Sequence, residues 1–286
     1  MSPGRPETQP RNETPDAKMQ GSEKIDLLPG LEEQSPEEFE WAVSDYFKDV
    51  QSARQRAIEE RHPNPSAAAK EFVYKKHVEG AEFKELGKLC EILFLAPLAA
   101  DIQERLDPIN DELSNLNNRY RDRESRPPEV QLRIAELKKL KKPLLDSMMP
   151  FNHLLRDFVI DNGDHISHEN LENWLSKANN NVPGPFKKIL SGFAVEAACN
   201  RFVMQGLAGE DIACRKSTIE EDKAGIDMVI IYQGREINVD VKTGGNIADG
   251  LGKVSELDIE RNEVSGFDIS PNARIAIARR IRNMLT

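Results

Sequence analysis

Asp227, Asp240 and Lys242 are the residues whose types and spacing first suggest chemistry. They fall in two runs of strand-like composition, Ile226 to Tyr232 and Arg235 to Lys242, joined by Gln233-Gly234, a two-residue hairpin connection. Closing that turn makes Tyr232 face Arg235 and, counting back in register, Asp227 face Asp240. Alternation sends Ile226, Met228, Ile230, Tyr232, Ile237, Val239 and Val241 to an apolar core face. It sends Asp227, Val229, Ile231, Glu236, Asn238, Asp240 and Lys242 to the other. Like charges opposite one another on a sheet repel, so two carboxylates there are either fully exposed at the strand ends or used together. A loop at Gly234-Arg235 would set Asp227 against Lys242 and keep all three on one face; a three-residue loop would change the parity.

Glu196 is the fourth candidate. It lies in a helical run from about Phe186 to Leu207 and projects close to Ile189, Val203 and Leu207, inside the apolar stripe. A carboxylate there must be paired, protonated or coordinated to a cation, because burying it bare costs several kcal/mol. An ion pair with Arg201 or Lys216, or partial exposure at the stripe's edge, meets the same requirement.

These elements close a chain of 286 residues with 39 Lys+Arg, 49 Asp+Glu and a formal net charge of −10. Residues 1–34 contain five prolines and few aliphatic side chains, too little apolar area to offset the entropy of ordering, and read as a disordered tail. Ser35-Pro36-Glu37-Glu38 is a capping box that opens a helical region, 35–180. Breaks are expected at His62-Pro63-Asn64-Pro65, Arg126-Pro127-Pro128, Pro150 and Asn162-Gly163. Leu106, Ile109, Leu113 and Leu116, then Leu132, Ile134, Leu137 and Leu140, predict a helical hairpin hinged at the Pro-Pro pair. A domain of α-β-β-β character follows over 186–286, beginning with the Phe186 helix and a strand at Ile212 to Thr218.

The longest uncharged apolar stretch, Ile92 to Ala100, has nine residues and contains Pro97, far short of the about 20 a membrane helix needs. The first thirty residues have no apolar h-region of a secretory signal, so the expectation is a cytoplasmic protein with no membrane partner. Cys90, Cys199 and Cys214 form neither a disulfide framework nor a zinc motif and read as buried small hydrophobes. His165-x-x-His168 has no third ligand at motif spacing and reads as a polar loop before a helix at Leu171 to Ala178.

A helix glutamate, an aspartate opening a strand, then Asp-x-Lys on the adjacent antiparallel strand is the order found in the PD-(D/E)XK nuclease superfamily. Phe193-Ala-Val-Glu196-Ala, Gly225-Ile-Asp227-Met-Val-Ile-Ile and Asn238-Val-Asp240-Val-Lys242-Thr243 resemble its motifs. The resemblance covers about Phe186 to Thr286. It implies an α+β protein in which a helical N-terminal region precedes a restriction-endonuclease-like αβββ core, a small mixed sheet flanked by helices. The implied activity is metal-dependent hydrolysis of phosphodiester bonds. The expected substrate is double-stranded DNA, cut internally, with a restriction-type enzyme as one form of that activity, Mg²⁺ as cofactor and Mn²⁺ as its substitute. Asp227, Asp240 and the Val241 carbonyl would be metal ligands, Glu196 a ligand directly or through water, and Lys242 the contact to the attacking water. Hard oxygen donors suit Mg²⁺, which neutralises charge developing at phosphorus.

Two departures stand beside this resemblance. Ile226 occupies the place of the family's proline, and Thr243 to Glu263, rich in Gly, Asp and Glu, makes a poor helix where the family core continues with one. Glu263 to Ile269 is a candidate strand. Ser270-Pro271-Asn272 opens a final helix with Ile275, Ile277, Ile281 and Leu285 as its stripe and Arg274, Arg279, Arg280 and Arg282 as a basic patch. A second basic window, Arg119 to Lys142, has nine basic residues against four acids. Both are candidate contacts to a nucleic-acid backbone. Lys138, Lys139, Lys141 and Lys142 read equally as the solvated face and last turn of a helix. The helical region could recognise a target or build a homodimer. The reading from another class is a non-catalytic helical interaction or regulatory protein with a degenerate nuclease-like domain.

Overall fold

A computed structural model describes residues 34–122, 126–182, 184–207, 212–243, 255–259 and 264–285. The expected tail lies outside these residues except for Gln34, as do the glycines from Gly244 to Gly252. Helix α1, Pro36–Glu59, begins at the expected box: the Ser35 hydroxyl accepts from the Glu38 N–H at 3.2 Å and the Glu38 carboxylate accepts from the Ser35 N–H at 2.6 Å. Asn64 caps α2, Pro65–Val73, which runs into a π-helical turn, Tyr74–Glu79. Two long helices follow, α3, Lys84–Arg119, and α4, Pro128–Asn162.

Helices α3 and α4 form the expected hairpin. Leu113, Ile134 and Leu137 are buried in its seam with Ile109, Leu116 and Val130 packed on them, and Arg133 bonds Glu112 across it at 2.6 and 2.9 Å. Leu132 and Leu140, expected in the seam, are 63% and 56% exposed. At about 100° per residue Leu132 lies nearly opposite Ile134 on the helix, and Leu140 about 120° from it. The break expected at Pro150 is absent. Pro150 is exposed while Met148, Phe151 and Leu155 are buried, so packing carries the helix through and the backbone bond that proline removes faces water. Lys138, Lys139, Lys141 and Lys142 therefore sit in mid-helix, and the expected last-turn dipole role does not apply to them.

Helix α5, His168–Ala178, is capped by the Ser167 hydroxyl at 3.0 Å from the Asn170 N–H. Helix α6, Gly184–Gly206, serves two cores. Phe186, Ile189, Leu190 and Phe193 join Phe39, Leu89, Phe158 and Trp174 in the helical core. Val195, Ala198, Cys199, Val203 and Leu207 join the sheet, and Gln34–Thr286 is one compact unit.

The sheet holds β1 (Ile212–Lys216), β2 (Met228–Tyr232), β3 (Arg235–Thr243) and β4 (Ser255–Ile259) in the order β1-β2-β3-β4. The first three are antiparallel and β4 lies parallel to β3, so the sheet is mixed and the protein α+β. Tyr232 pairs with Arg235 and Met228 with Val239, the expected register. Met228, Ile230 and Val239 are fully buried in the core.

Three elements differ from expectation. A short helix α7, Ile219–Lys223, precedes β2, and β4 occupies part of the stretch expected to be irregular. Glu263 to Ile269 is not one strand: β5 (Val264–Ser265) and β6 (Asp268–Ile269) pair around Gly266-Phe267, with Gly266 at φ 63°. Phe267 reaches the helical core beside the His168 ring, with centroids 5.4 Å apart. Helix α8, Pro271–Leu285, buries Ala273, Ile277, Ala278 and Ile281, whereas Ile275 is exposed. No described helix is long and apolar enough to cross a membrane.

Candidate active site

Asp227 reaches its position through a helix ending. Thr218 and Glu221 form a capping box that starts α7, and one turn later the chain stops it. Gly225 N–H donates to the Asp222 carbonyl at 2.9 Å and Ile226 N–H to the Glu221 carbonyl at 2.9 Å, with Gly225 at φ 80°. This is a Schellman ending, whose left-handed residue is best supplied by glycine. The chain then enters β2, where the Asp227 N–H donates to the Val239 carbonyl at 2.8 Å.

At that end of the hairpin the carboxylate replaces the backbone as acceptor: Val241 N–H donates to Asp227 Oδ2 at 2.6 Å. Asp240, beside Val241, stands opposite Asp227 in register, and its charge acts on the Asp227 carboxyl. Burial first, then the charges of Glu196 and Asp240, push the Asp227 carboxyl up to about 9, against the opposing pull of the Val241 N–H.

Glu196 comes to the same place from α6. Burial pushes its carboxyl up to about 7 against the pull of Arg156, with Asp222 and Asp240 adding to the rise. The three carboxyl groups that sequence reasoning singled out thus lie in one another's fields. Lys242 follows on β3, paired in register with Asp258 of β4; its side chain falls outside the described residues.

The expected partners of Glu196 are otherwise engaged. Arg201 bonds Asp164 and donates to the Phe267 carbonyl at 3.0 Å, and Lys216 bonds Asp161 at 2.5 Å. Glu196 is held instead by Arg156 of α4, Nη1 to Oε1 at 2.8 Å. Arg156 is 3% exposed. It also lies 3.4 Å from Asp222, and its Nη2 donates to His153 Nδ1 at 2.7 Å and to the Ser217 carbonyl at 3.4 Å. Sequence reasoning missed Arg156, although the rule applied to Glu196 marks it: a charged residue flanking the stripe Phe151, Leu155, Phe158, Val159. Asn200 was missed too. It stands one turn after Glu196, is fully buried, and donates from Nδ2 to the Asp227 carbonyl at 3.1 Å.

Among the described residues, the group of three whose ligand atoms all lie within 4.8 Å of one another is Asp45, Asp49 and His77, not the carboxylates at the hairpin. Asp49 there bonds His77 at 2.7 Å and also Lys76, which lies 3.5 Å from Asp45. Its sequence signal is the i, i+4 pair of aspartates on α1. His168 opens α5 against Phe267, with Glu172 at 3.9 Å, as a polar helix start.

Of the basic candidates, Arg274, Arg279, Arg280 and Arg282 are exposed on α8; Arg274 donates from Nε to the Ile269 carbonyl at 3.0 Å and lies over the Phe202 ring. Lys138, Lys139 and Lys142 are exposed on α4 and Lys141 is half-buried.

No family model, no curated protein and no solved structure matches this chain.

Proposed function

We propose that this chain is a metal-dependent nuclease of PD-(D/E)XK type, hydrolysing phosphodiester bonds of double-stranded DNA as an endonuclease. The observation that carries the reading is the hairpin end, where Asp227, opposite Asp240 in register and bonded by the Val241 N–H at 2.6 Å, lies within the field of Glu196. Burying carboxylates together is costly, and a divalent cation relieves that cost by replacing the proton. The donor set fits Mg²⁺ or Mn²⁺: carboxylate oxygens of Asp227 and Asp240 with the Val241 carbonyl beside them. Glu196, held by Arg156, fits as a ligand through water.

A cation held there would supply charge neutralisation at the phosphoryl oxygens and a more acidic water. The chain's own groups do the rest. Asp227 and Asp240 fix the position of the charge, and the Val241 N–H on Asp227 Oδ2 orients the first of them. Glu196 accepts a hydrogen bond from the attacking water. Lys242, two residues beyond Asp240, contacts that water and helps take its proton. The arginines of α8 and lysines of α4 hold the DNA backbone, which makes binding fall with salt. A homodimer through the helical region would bring two such sites to one duplex. The free thiols of Cys90, Cys199 and Cys214 support the cytoplasm as the compartment.

The Arg156–Glu196 ion pair favours a second reading, a helical interaction protein whose nuclease-like site no longer cleaves. The experiment that separates them is cleavage of plasmid, linear duplex, single-stranded DNA and RNA with Mg²⁺ or Mn²⁺. Metal-dependent cutting of duplex, lost in Asp240→Ala and Lys242→Ala, supports the nuclease. No cutting of any substrate by the folded wild-type chain supports the second reading.

A further inference from the structure

A cavity of about 300 Å³ adjoins Glu196 on the helical side, lined by residues of α3, α4, α6 and α7. That is at the small end of ligand pockets, roughly 300–1,000 Å³, and suits one planar heterocycle. Its lining is divided by chemistry. Met149, Ile189 and Phe193 offer apolar surface, Gln103 and Asn152 offer amides, and Arg156, Glu196 and Asp222 bring it to the candidate active site. Asn152 Oδ1 makes no hydrogen bond within the protein.

Gly192 lies exposed at the rim of this space. It sits inside α6, where glycine is the least favourable residue after proline. No positive φ and no close approach requires it: a Cβ built there meets nothing within 4 Å. Glycine at this position costs helix stability without easing the backbone, and it leaves the exposed rim of the cavity without a side chain.

We propose that this cavity takes one unpaired nucleobase of the substrate, so that the chain acts on DNA with a nucleotide out of the duplex next to the cut. This rests on the nuclease reading above. Apolar and aromatic walls stack a base whatever its sequence, the amides meet its polar edge, and a space of this size holds one base. The nucleotide's phosphate would then lie toward Glu196 and the Asp227–Asp240 pair.

The test uses the full chain in EDTA, with a DNA hairpin carrying one unpaired 2-aminopurine whose fluorescence reports stacking. We expect Gly192→Leu to weaken binding of this probe about tenfold or more, and Gly192→Ala to leave it within about twofold. Replacing the unpaired base by an abasic site should weaken binding to wild type by a similar factor, a measurement that needs no variant to fold. Equal binding of the base and abasic probes to wild type, or equal affinity of the folded Gly192→Leu and wild-type chains, overturns the proposal. Cleavage by wild type in Mg²⁺ is scored separately. Cutting with an unresponsive probe removes the base pocket alone; a responsive probe with no cutting removes the nuclease reading alone.

Discussion

The helical core and the hairpin end of the sheet are built on opposite principles although α6 runs through both. The helical core is made of large apolar side chains, with Phe39 and Phe158 edge to face at 5.8 Å and Leu89, Leu155 and Leu175 fully buried. The sheet core is aliphatic, with Met228, Ile230, Val239 and Ile281 fully buried, and at its rim the charges of Glu196 and Asp240 act on Asp227. The first arrangement adds stability contact by contact. The second keeps charges together at the expense of stability, and a residue of the helical part, Arg156, restrains them. Buried carboxyl groups held near one another mark functional sites because simple folding gives no reason to assemble them.

The contrast can be broken at either side. Phe158→Ala should cost about 3–5 kcal/mol through lost burial and a cavity, as measured by urea unfolding. Arg156→Ala should cost a similar amount, about 3–5 kcal/mol, for a different reason: Glu196 and Asp222 are left near one another without their cation. Glu196→Gln should recover part of the second loss and none of the first, and a double-mutant cycle reads that difference.

Smaller effects come from the protons. The folded chain holds Asp227 at about 9 and Glu196 at about 7, above the 3.8 and 4.5 of the unfolded groups, so it binds more protons than the unfolded chain between those limits. Stability without divalent ions should therefore fall as pH rises from about 4 through 7 and on to 9. Asp227→Asn should flatten that fall and raise stability at pH 8 by about 1 kcal/mol, roughly 2–4 °C in Tm. Thermal melts in EDTA at pH 5, 7 and 8.5 check both statements. Smallest of all, Leu132→Gln should change stability by less than about 0.5 kcal/mol, because that side chain touches water and not the seam.

Sequence reasoning reached the hairpin and its acids because a two-residue turn fixes register, and register fixes which side chains share a face. It reached α1 and α6 through caps and periodicity. It missed α7, although Thr218, Glu221 and Gly225 carry its start and stop, because five helical residues give no periodic stripe. It missed β4, whose parallel pairing to β3 depends on partners distant in sequence. Arg156 escaped because its partners, Glu196 and Asp222, are 40 and 66 positions away in the chain. Pro150 misled because packing on both sides of it outweighs the single backbone bond it removes. The stripe of α8 was legible at Ile277 and Ile281 and not at Ile275, which at about 100° per residue lies nearly opposite Ile277.

Asp227 and Asp240 are the proposed ligands of a divalent cation, with Asp227 giving up its proton as the cation binds. Calorimetric titration of Mg²⁺ at pH 8, repeated in two buffers of different ionisation enthalpy, tests that exchange in the full chain, in Asp240→Asn and in Asp49→Asn. The expected result is binding with proton release in wild type and Asp49→Asn, and none in Asp240→Asn. Binding that survives in Asp240→Asn, or that disappears in Asp49→Asn, would contradict the account and move the cation to the Asp45, Asp49 and His77 cluster.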